Sequence, residues 1–384
     1  MISTTSPLVK VIYGEHSTYR VGLTAKELGM KKVMLVFDKG VEAAGLVRPV
    51  IENLAACGIG YVPFSKVLPD PPDDIVEEGG ALAVEEQVDG IVTIGGGSSI
   101  DAAKGINVLT KNPAPLLQWA TNPPDGPLLP HIAIPTTAGT GAEVTYVAVI
   151  TNSKTGAKGG LSSPLLYPTV AIVDPCNYVG APLSVSIPCA FDVYTHAIDA
   201  IAHGAYEPIS SAFAEKAIRL VHKSLPKIVE NPSDLKARGD LALASTYGGY
   251  AINGAMCHMT HTVGHALGAV FHLPHGLCCA IVLPQLLKYY AEWMPEQVKI
   301  IADCQGLSLP DDISPKDLGE ASSKAALGLM KGAGLKTLKQ LEISVEQAMT
   351  AMPLIMSDAT NAIAPRLFPA SKWKAMLEEA YDQY

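Results

Sequence analysis

Between Leu241 and Leu287 the chain carries no Lys, Arg, Asp or Glu, yet five of its ten histidines fall inside that stretch: His258, His261, His265, His272 and His275. A segment without charge is destined for the interior, and each imidazole taken there needs a polar partner. Gly, Pro and His interrupt the stretch so often that no run of about 18 purely apolar residues survives, which argues against a membrane span.

The spacing sharpens this. His261 and His265 stand four apart and His258 three before His261, so one continuous helix places all three on a common face. His275, between Pro274 and Gly276, sits at a turn that can aim it back. Upstream, in CAFDVYTHAIDAIAHGA, Asp192 and His196 are four apart, and Asp199 and His203 continue the same face. Either pair can deliver one oxygen and one nitrogen to a divalent ion, or simply make helix hydrogen bonds. Spacing does not choose between them. Neutral imidazole is a common metal ligand, and the number of histidines, rather than any one of them, favours a metal.

The rest of the chain has two rhythms. KKVMLVFD, GIVTIGGG, HIAIPTT and TVAIVDP are short, β-branched runs closed by Gly, Pro or Asp, and TYVAVIT is a further strand. Between them lie amphipathic stretches such as VRPVIENLAACG and DDIVEEGGALAVEEQV. That alternation predicts a mainly parallel sheet covered by helices. After about Pro188 only helical periodicity remains, with no convincing strand to Tyr384. A chain of 384 residues is large for one core, and it is read as an α/β domain over 1–185 and an all-helical domain over 186–384, with a ligand expected in a cleft between them.

Two glycine-bearing turns follow strands of the first half. GGGSSIDAAK, Gly95 to Lys104, opens a helix, where free N–H groups attract an anion. It fits neither the G-x-G-x-x-G nor the G-x-x-x-x-G-K-[ST] pattern, because Ile100 stands where the former needs glycine. PTTAGTGAEVT, Pro135 to Thr145, adds hydroxyls and more glycine. Two such loops suit a dinucleotide better than either does singly. Asp38, ending the first strong strand, can accept from ribose hydroxyls and repel a 2′-phosphate, which favours NAD over NADP.

Net charge of −9 and a pI near 5.6 disfavour nucleic acid and anionic membranes as partners. Seven scattered cysteines without a C-x-x-C pair, and an N-terminus without a signal-peptide pattern, suit a reducing, cytoplasmic setting.

On GGGSSIDAAK, PTTAGTGAEVT, the DxxxHA of Asp192 to Ala197 and HTVGHALGAVFHLPHG of His261 to Gly276, the chain resembles the iron-containing alcohol dehydrogenase family from about Val33 onward. The resemblance implies a Rossmann-like dinucleotide-binding α/β domain followed by an all-helical metal-binding domain. It implies that Asp192, His196, His261 and His275 hold one divalent metal, typically Fe²⁺ and in some members Zn²⁺. It places His265 near metal and substrate without making it a regular ligand, and our reading makes it the proton relay. It assigns Gly96, Gly97, Ser98 and Asp101 to the pyrophosphate loop and Thr136, Thr137 and Thr140 to a second nucleotide loop. Asp38 goes to the adenosine ribose and Lys158 to the nicotinamide-ribose side. His258 and His272 receive no role. The implied activity is NAD-linked, reversible hydride transfer on a small alcohol or aldehyde, in a homodimer or larger even-numbered assembly.

Some positions depart from the family pattern: Ala190-Phe191 before Asp192, Ala266 after His265, Leu277, Cys278 and Cys279 after Pro-His-Gly, and Val147 where some members carry Asn. These leave the metal set intact and bear on the substrate. Two rivals are weighed beside it. A dehydroquinate-synthase-like lyase needs a basic cluster that the uncharged segment lacks. A non-catalytic metal-binding scaffold leaves the nucleotide loops without a purpose.

Overall fold

The computed structural model describes residues 9–203 and 207–384. The expectation that the N-terminus carries no leader falls on residues 1–8, outside the described ones. The chain divides into two compact units, one ending at Ala181 and the other running from Pro182 to Tyr384. The division falls just before the 185/186 boundary expected above, because the first long helix of the second unit already begins at Leu183.

The first unit holds eight strands: β1 (Lys10–Tyr13), β2 (Lys32–Asp38), β3 (Gly60–Val67), β4 (Gly90–Gly95), β5 (His131–Pro135), β6 (Val147–Thr151), β7 (Lys158–Ser162) and β8 (Val170–Val173). Six form a sheet in the order β1-β8-β5-β4-β2-β3, every neighbouring pair parallel. The other two make an antiparallel hairpin, β6-β7. Three helices matter here: α1 (Val47–Ala56), α2 (Asp73–Glu85) and α3 (Gly97–Leu109).

The apolar runs of the central strands follow from burial on both faces. Val33, Leu35 and Phe37 of β2 join Val50 and Leu54 of α1 in one cluster. Met34 and Val36, pointing the other way, join Val76 of α2 and Ala103 and Ile106 of α3 in a second. β1 and β3, which the sequence did not announce, are the sheet's two edges. They are half exposed and lack a continuous apolar run, and Pro63 in β3 is tolerated at an edge. The third unannounced strand, β7, is KGGLS, whose two glycines hide its pairing with β6.

Among its described residues the second unit is helical and contains no strand. Its key elements are α4 (Leu183–Ile201), α5 (Pro208–Glu230), α6 (Leu235–Ala255), α7 (Met259–Phe271), α8 (His275–Ala280) and α9 (Leu283–Trp293). None of the described helices is long and apolar enough to cross a membrane. The short α8 lies against α4 at Gly276, where any Cβ would overlap the Pro188 carbonyl oxygen and stand 2.7 Å from the Asp192 nitrogen. Only glycine permits that approach.

Candidate metal centre and nucleotide loops

Three helices of the second unit bring their polar side chains to one point. Asp192 and His196 project from the middle of α4, His261 from the first turn of α7, and His275 opens α8. The Nε2 atoms of His196, His261 and His275 lie 3.7, 3.7 and 3.5 Å from Asp192 Oδ1. Those separations are too long for hydrogen bonds. Measured from Asp192, they match donors around one cation, since bonds of roughly 2.1 Å in tetrahedral array hold neighbouring donors about 3.4 Å apart. Asp192, His261 and His275 are also mutually close, whereas His196 stands outside that group.

The partners confirm the mismatch with an ordinary polar core. Asp192 and His261 are 4% and 2% exposed, and Asp192 Oδ1 and His261 Nε2 are buried with no hydrogen-bond partner. Orphaned groups of this kind are rare and call for an ion or water. A carboxylate and imidazoles are donors that iron and zinc both accept, so the residues fit a divalent cation. Burial alone would push the Asp192 carboxyl up, but His196, His275 and His261 outweigh it and hold it well below the usual carboxylate range.

Two donor groups are compact, each with its atoms within 4.8 Å of one another: Asp192, His261, His275 and Cys279, and separately His196, Cys257 and His261. His261 belongs to both, and its ring stacks on that of His196 with centroids 4.7 Å apart. Neither cysteine was singled out as a ligand from the sequence, where nothing marks them.

Asp199, which spacing left as a rival ligand, has another place. It is fully buried, and its Oδ2 accepts from the His258 backbone N–H (2.9 Å), Thr260 Oγ1 (2.7 Å) and His261 Nδ1 (3.0 Å). A carboxylate only accepts, so the His261 proton sits on Nδ1 and Nε2 is left open toward Asp192. His258 does not share the helix face expected for it, because α7 starts one residue later and His258 is its N-cap. Its ring is turned to the Asp199 carbonyl oxygen (2.7 Å) and faces Tyr290 Oη (3.4 Å). His272 is exposed and ends α7 in the left-handed conformation, φ 53°.

His265, one turn beyond His261, stacks on His275 with centroids 5.4 Å apart. Its Nδ1 pairs with Asp358 Oδ2 at 3.0 Å, and its side chain remains 42% exposed, so the ring is anchored yet open. Asp358 is fixed in turn by the Thr360 N–H and hydroxyl.

In the first unit the two glycine turns meet. A Cβ on Gly96 would stand 2.9 Å from Thr137 Oγ1 and one on Gly97 2.6 Å from Thr140 Cγ2, so the loops touch across bare backbone. Gly96 precedes α3 and no side chain caps that helix, leaving its N-terminus suited to an anion. Thr136 N donates to the Gly95 carbonyl, joining the turns. Ser98 Oγ accepts from the Asp70 N–H (3.3 Å), and Asp101 Oδ2 from the Val149 N–H (3.1 Å). Lys104, fully buried, donates to the Val147 carbonyl (2.7 Å) and ties α3 to β6. Asp38 caps the chain after β2 through Gly40 and Val41 and accepts from Ser99 Oγ at 3.0 Å. Lys158, at the start of β7, pairs with Asp70 at 2.7 Å.

An α/β unit with an uncapped helix at a glycine turn, and a helical unit that gathers imidazoles about an orphaned carboxylate oxygen, are the parts of a metal-dependent, nucleotide-linked dehydrogenase. The chain belongs to the iron-containing alcohol dehydrogenase family. The family's model "Iron-containing alcohol dehydrogenase" matches residues 9–175, and "Fe-containing alcohol dehydrogenase family, C-terminal" matches 186–381. The chain is 34% identical over 319 residues, 83% of each chain, to the NAD-dependent methanol dehydrogenase of Bacillus methanolicus. It is 33% identical over 377 residues, 96% of each, to the 1,3-propanediol dehydrogenase of Klebsiella pneumoniae. The crystal structure of a 1,3-propanediol oxidoreductase superposes with a TM-score of 0.94 at 32% identity, covering 99% of this chain and all of that one.

Proposed function

We propose that the chain catalyses reversible hydride transfer between NAD and a small alcohol or diol, with one divalent cation, iron before zinc, held by Asp192, His196, His261 and His275. The observation that carries this is the convergence of three Nε2 atoms on the buried, unpartnered Asp192 Oδ1. Small substrates are supported by the relatives named for methanol and 1,3-propanediol. A divalent ion in such a site supplies Lewis acidity toward an alcohol or carbonyl oxygen.

The protein's own residues do the rest. Asp199 keeps the His261 proton on Nδ1. Gly96, Gly97, Ser98 and Asp101 at the α3 N-terminus receive the pyrophosphate, Thr136, Thr137 and Thr140 form the second nucleotide loop, Asp38 receives the adenosine ribose, and Lys158 lies on the nicotinamide-ribose side. His265, held at Nδ1 by Asp358, presents Nε2 to carry the alcohol proton toward solvent. Seven free cysteines support a cytoplasmic setting, and an even-numbered homo-oligomer is checked by light scattering on the purified protein.

The reading is tested by elemental analysis of anaerobically purified protein and by NADH oxidation with short aldehydes before and after chelation. One metal per chain and chelator-sensitive, metal-restorable turnover are expected. Turnover that survives complete metal removal overturns it. Two further outcomes are expected. His265→Ala keeps its metal but loses roughly 10²-fold or more in kcat, and full activity across pH in that variant removes the relay. Asp38→Asn keeps a capping side chain but drops the charge facing a 2′-phosphate, so kcat/KM for NADPH rises on the order of tenfold relative to NADH. An unchanged ratio moves the ribose contact elsewhere.

A further inference from the structure

We propose that the Cys257 thiolate is an additional ligand of the cation at this centre, entering beside His196 and His261, and that it raises the chain's affinity for Zn²⁺ and Co²⁺ relative to Mn²⁺ and Fe²⁺. The proposal rests on the metal reading above and adds a soft donor to it.

Cys257 lies in the short connection between α6 and α7, and the next residue is tied down by the bond from the His258 N–H to Asp199. The backbone beside the thiol is therefore anchored by the same carboxylate that orients His261. Its Sγ and one ring nitrogen from each of His196 and His261 are mutually within 4.8 Å. His261 Nδ1 is taken by Asp199, so the open nitrogen is Nε2, which is buried without a partner and faces Asp192 Oδ1. His261 is the member shared by the group it forms with Asp192 and His275 and the group it forms with His196 and Cys257, and the proposal places the cation on its Nε2, within reach of the thiol. Thiolate, imidazole and carboxylate together lie within the ligand range of zinc, and a thiolate shifts selectivity toward softer ions. On binding, the sulfur–hydrogen bond is replaced by a sulfur–metal bond and the proton leaves to solvent.

The second nearby thiol, Cys279, is differently placed. Its Sγ is within hydrogen-bond range of His275 Nε2 at 3.6 Å, and it fills the space over Gly264 that a Cβ there would take. Cys279 is packed between α7 and α8, but it also belongs to the donor group of Asp192, His261 and His275, so the cobalt experiment must separate the two thiols.

The test uses full-length protein stripped of metal and reloaded with Co²⁺. The wild type is expected to show a sulfur-to-cobalt charge-transfer band in the near ultraviolet. Cys257→Ser loses the band and Cys279→Ser keeps it. By competition with a chromophoric chelator, Cys257→Ser loses Zn²⁺ affinity on the order of tenfold, comparable to losing an outer-shell partner, while Mn²⁺ affinity changes by no more than about twofold. A second measurement needs no variant: Zn²⁺ protects Cys257 from iodoacetamide in mass-spectrometric mapping, and chelation removes the protection. Stoichiometric Co²⁺ binding without the band, a band abolished only in Cys279→Ser, or equal labelling with and without Zn²⁺ overturns the thiolate role while leaving the metal centre standing. Failure to bind Co²⁺ or Zn²⁺ at all overturns both.

Discussion

Asp192→Asn loses cation binding and alcohol oxidation together. The substitution preserves shape and volume, so what it removes is charge. Asp192 Oδ1 is the point on which three imidazole nitrogens converge, at 3.5 to 3.7 Å, and in the proposed centre it is the negative charge that would offset a dication, at a residue only 4% exposed. Removing one partner of a buried charge pair costs roughly 3–5 kcal/mol, equivalent to about 10²–10⁴ in binding. Competition titration should show a loss of that size, and kcat measured at ordinary metal concentrations should fall at least as far. Excess metal should restore part of the activity, which a misfolded variant could not show. If Asp192→Asn binds one equivalent of metal as tightly as the wild type, the carboxylate is not a ligand and the centre must be redrawn.

The architecture was legible where physics imposes a pattern at every residue. The central positions of β2, β4, β5 and β8 are buried on both faces, so nearly all are apolar, the buried Thr93 and His131 pairing with each other, and the four runs stand out. β1 and β3 are edges and need only part of that pattern. The switch from α/β to all-helical was visible because β-branched runs cease after the first unit. The exact division was not, since α4 starts in LSVSIPCA with no capping side chain to mark it.

The site was legible in its residue types and less so in its directions. Spacing put His196 and Asp192 on one helix face, and that face does meet His261 and His275. The same spacing also offered Asp199 and His203, and only the tertiary arrangement shows Asp199 behind His261 rather than beside it. The shared face for His258 failed because the helix begins only at Met259: His258 is its N-cap in a non-helical conformation, φ −141° and ψ −107°, with its N–H bonded to Asp199. Asp358 lies 93 residues from His265, and no local periodicity links residues so far apart. Cys257 carried no signal because a lone thiol in an apolar stretch reads as core.

At the proposed centre Asp199 is expected to couple stability to metal binding, and its replacement separates the two. The residue is fully buried and acts only as an acceptor, serving the His258 N–H, the Thr260 hydroxyl and the His261 Nδ1–H through one oxygen. Asp199→Ala removes the acceptor of all three, and although the Thr260 hydroxyl can still take the His261 Nδ1–H, each donor left stranded costs about 1–3 kcal/mol. The second unit exceeds 150 residues, so a net loss of several kcal/mol corresponds to a drop in Tm of about 10 °C for the metal-free protein. Metal affinity is expected to fall separately, because with only the neutral Thr260 hydroxyl left 3.0 Å from Nδ1 the imidazole is freer to carry its proton on Nε2, the atom a cation needs. Losing such an outer partner costs about 10–100-fold in affinity. Asp199→Asn keeps one acceptor oxygen, so it should recover part of the Tm while still binding metal more weakly than the wild type. If instead Asn and Ala lower Tm alike and both bind metal normally, Asp199 supports the core but does not set the His261 tautomer.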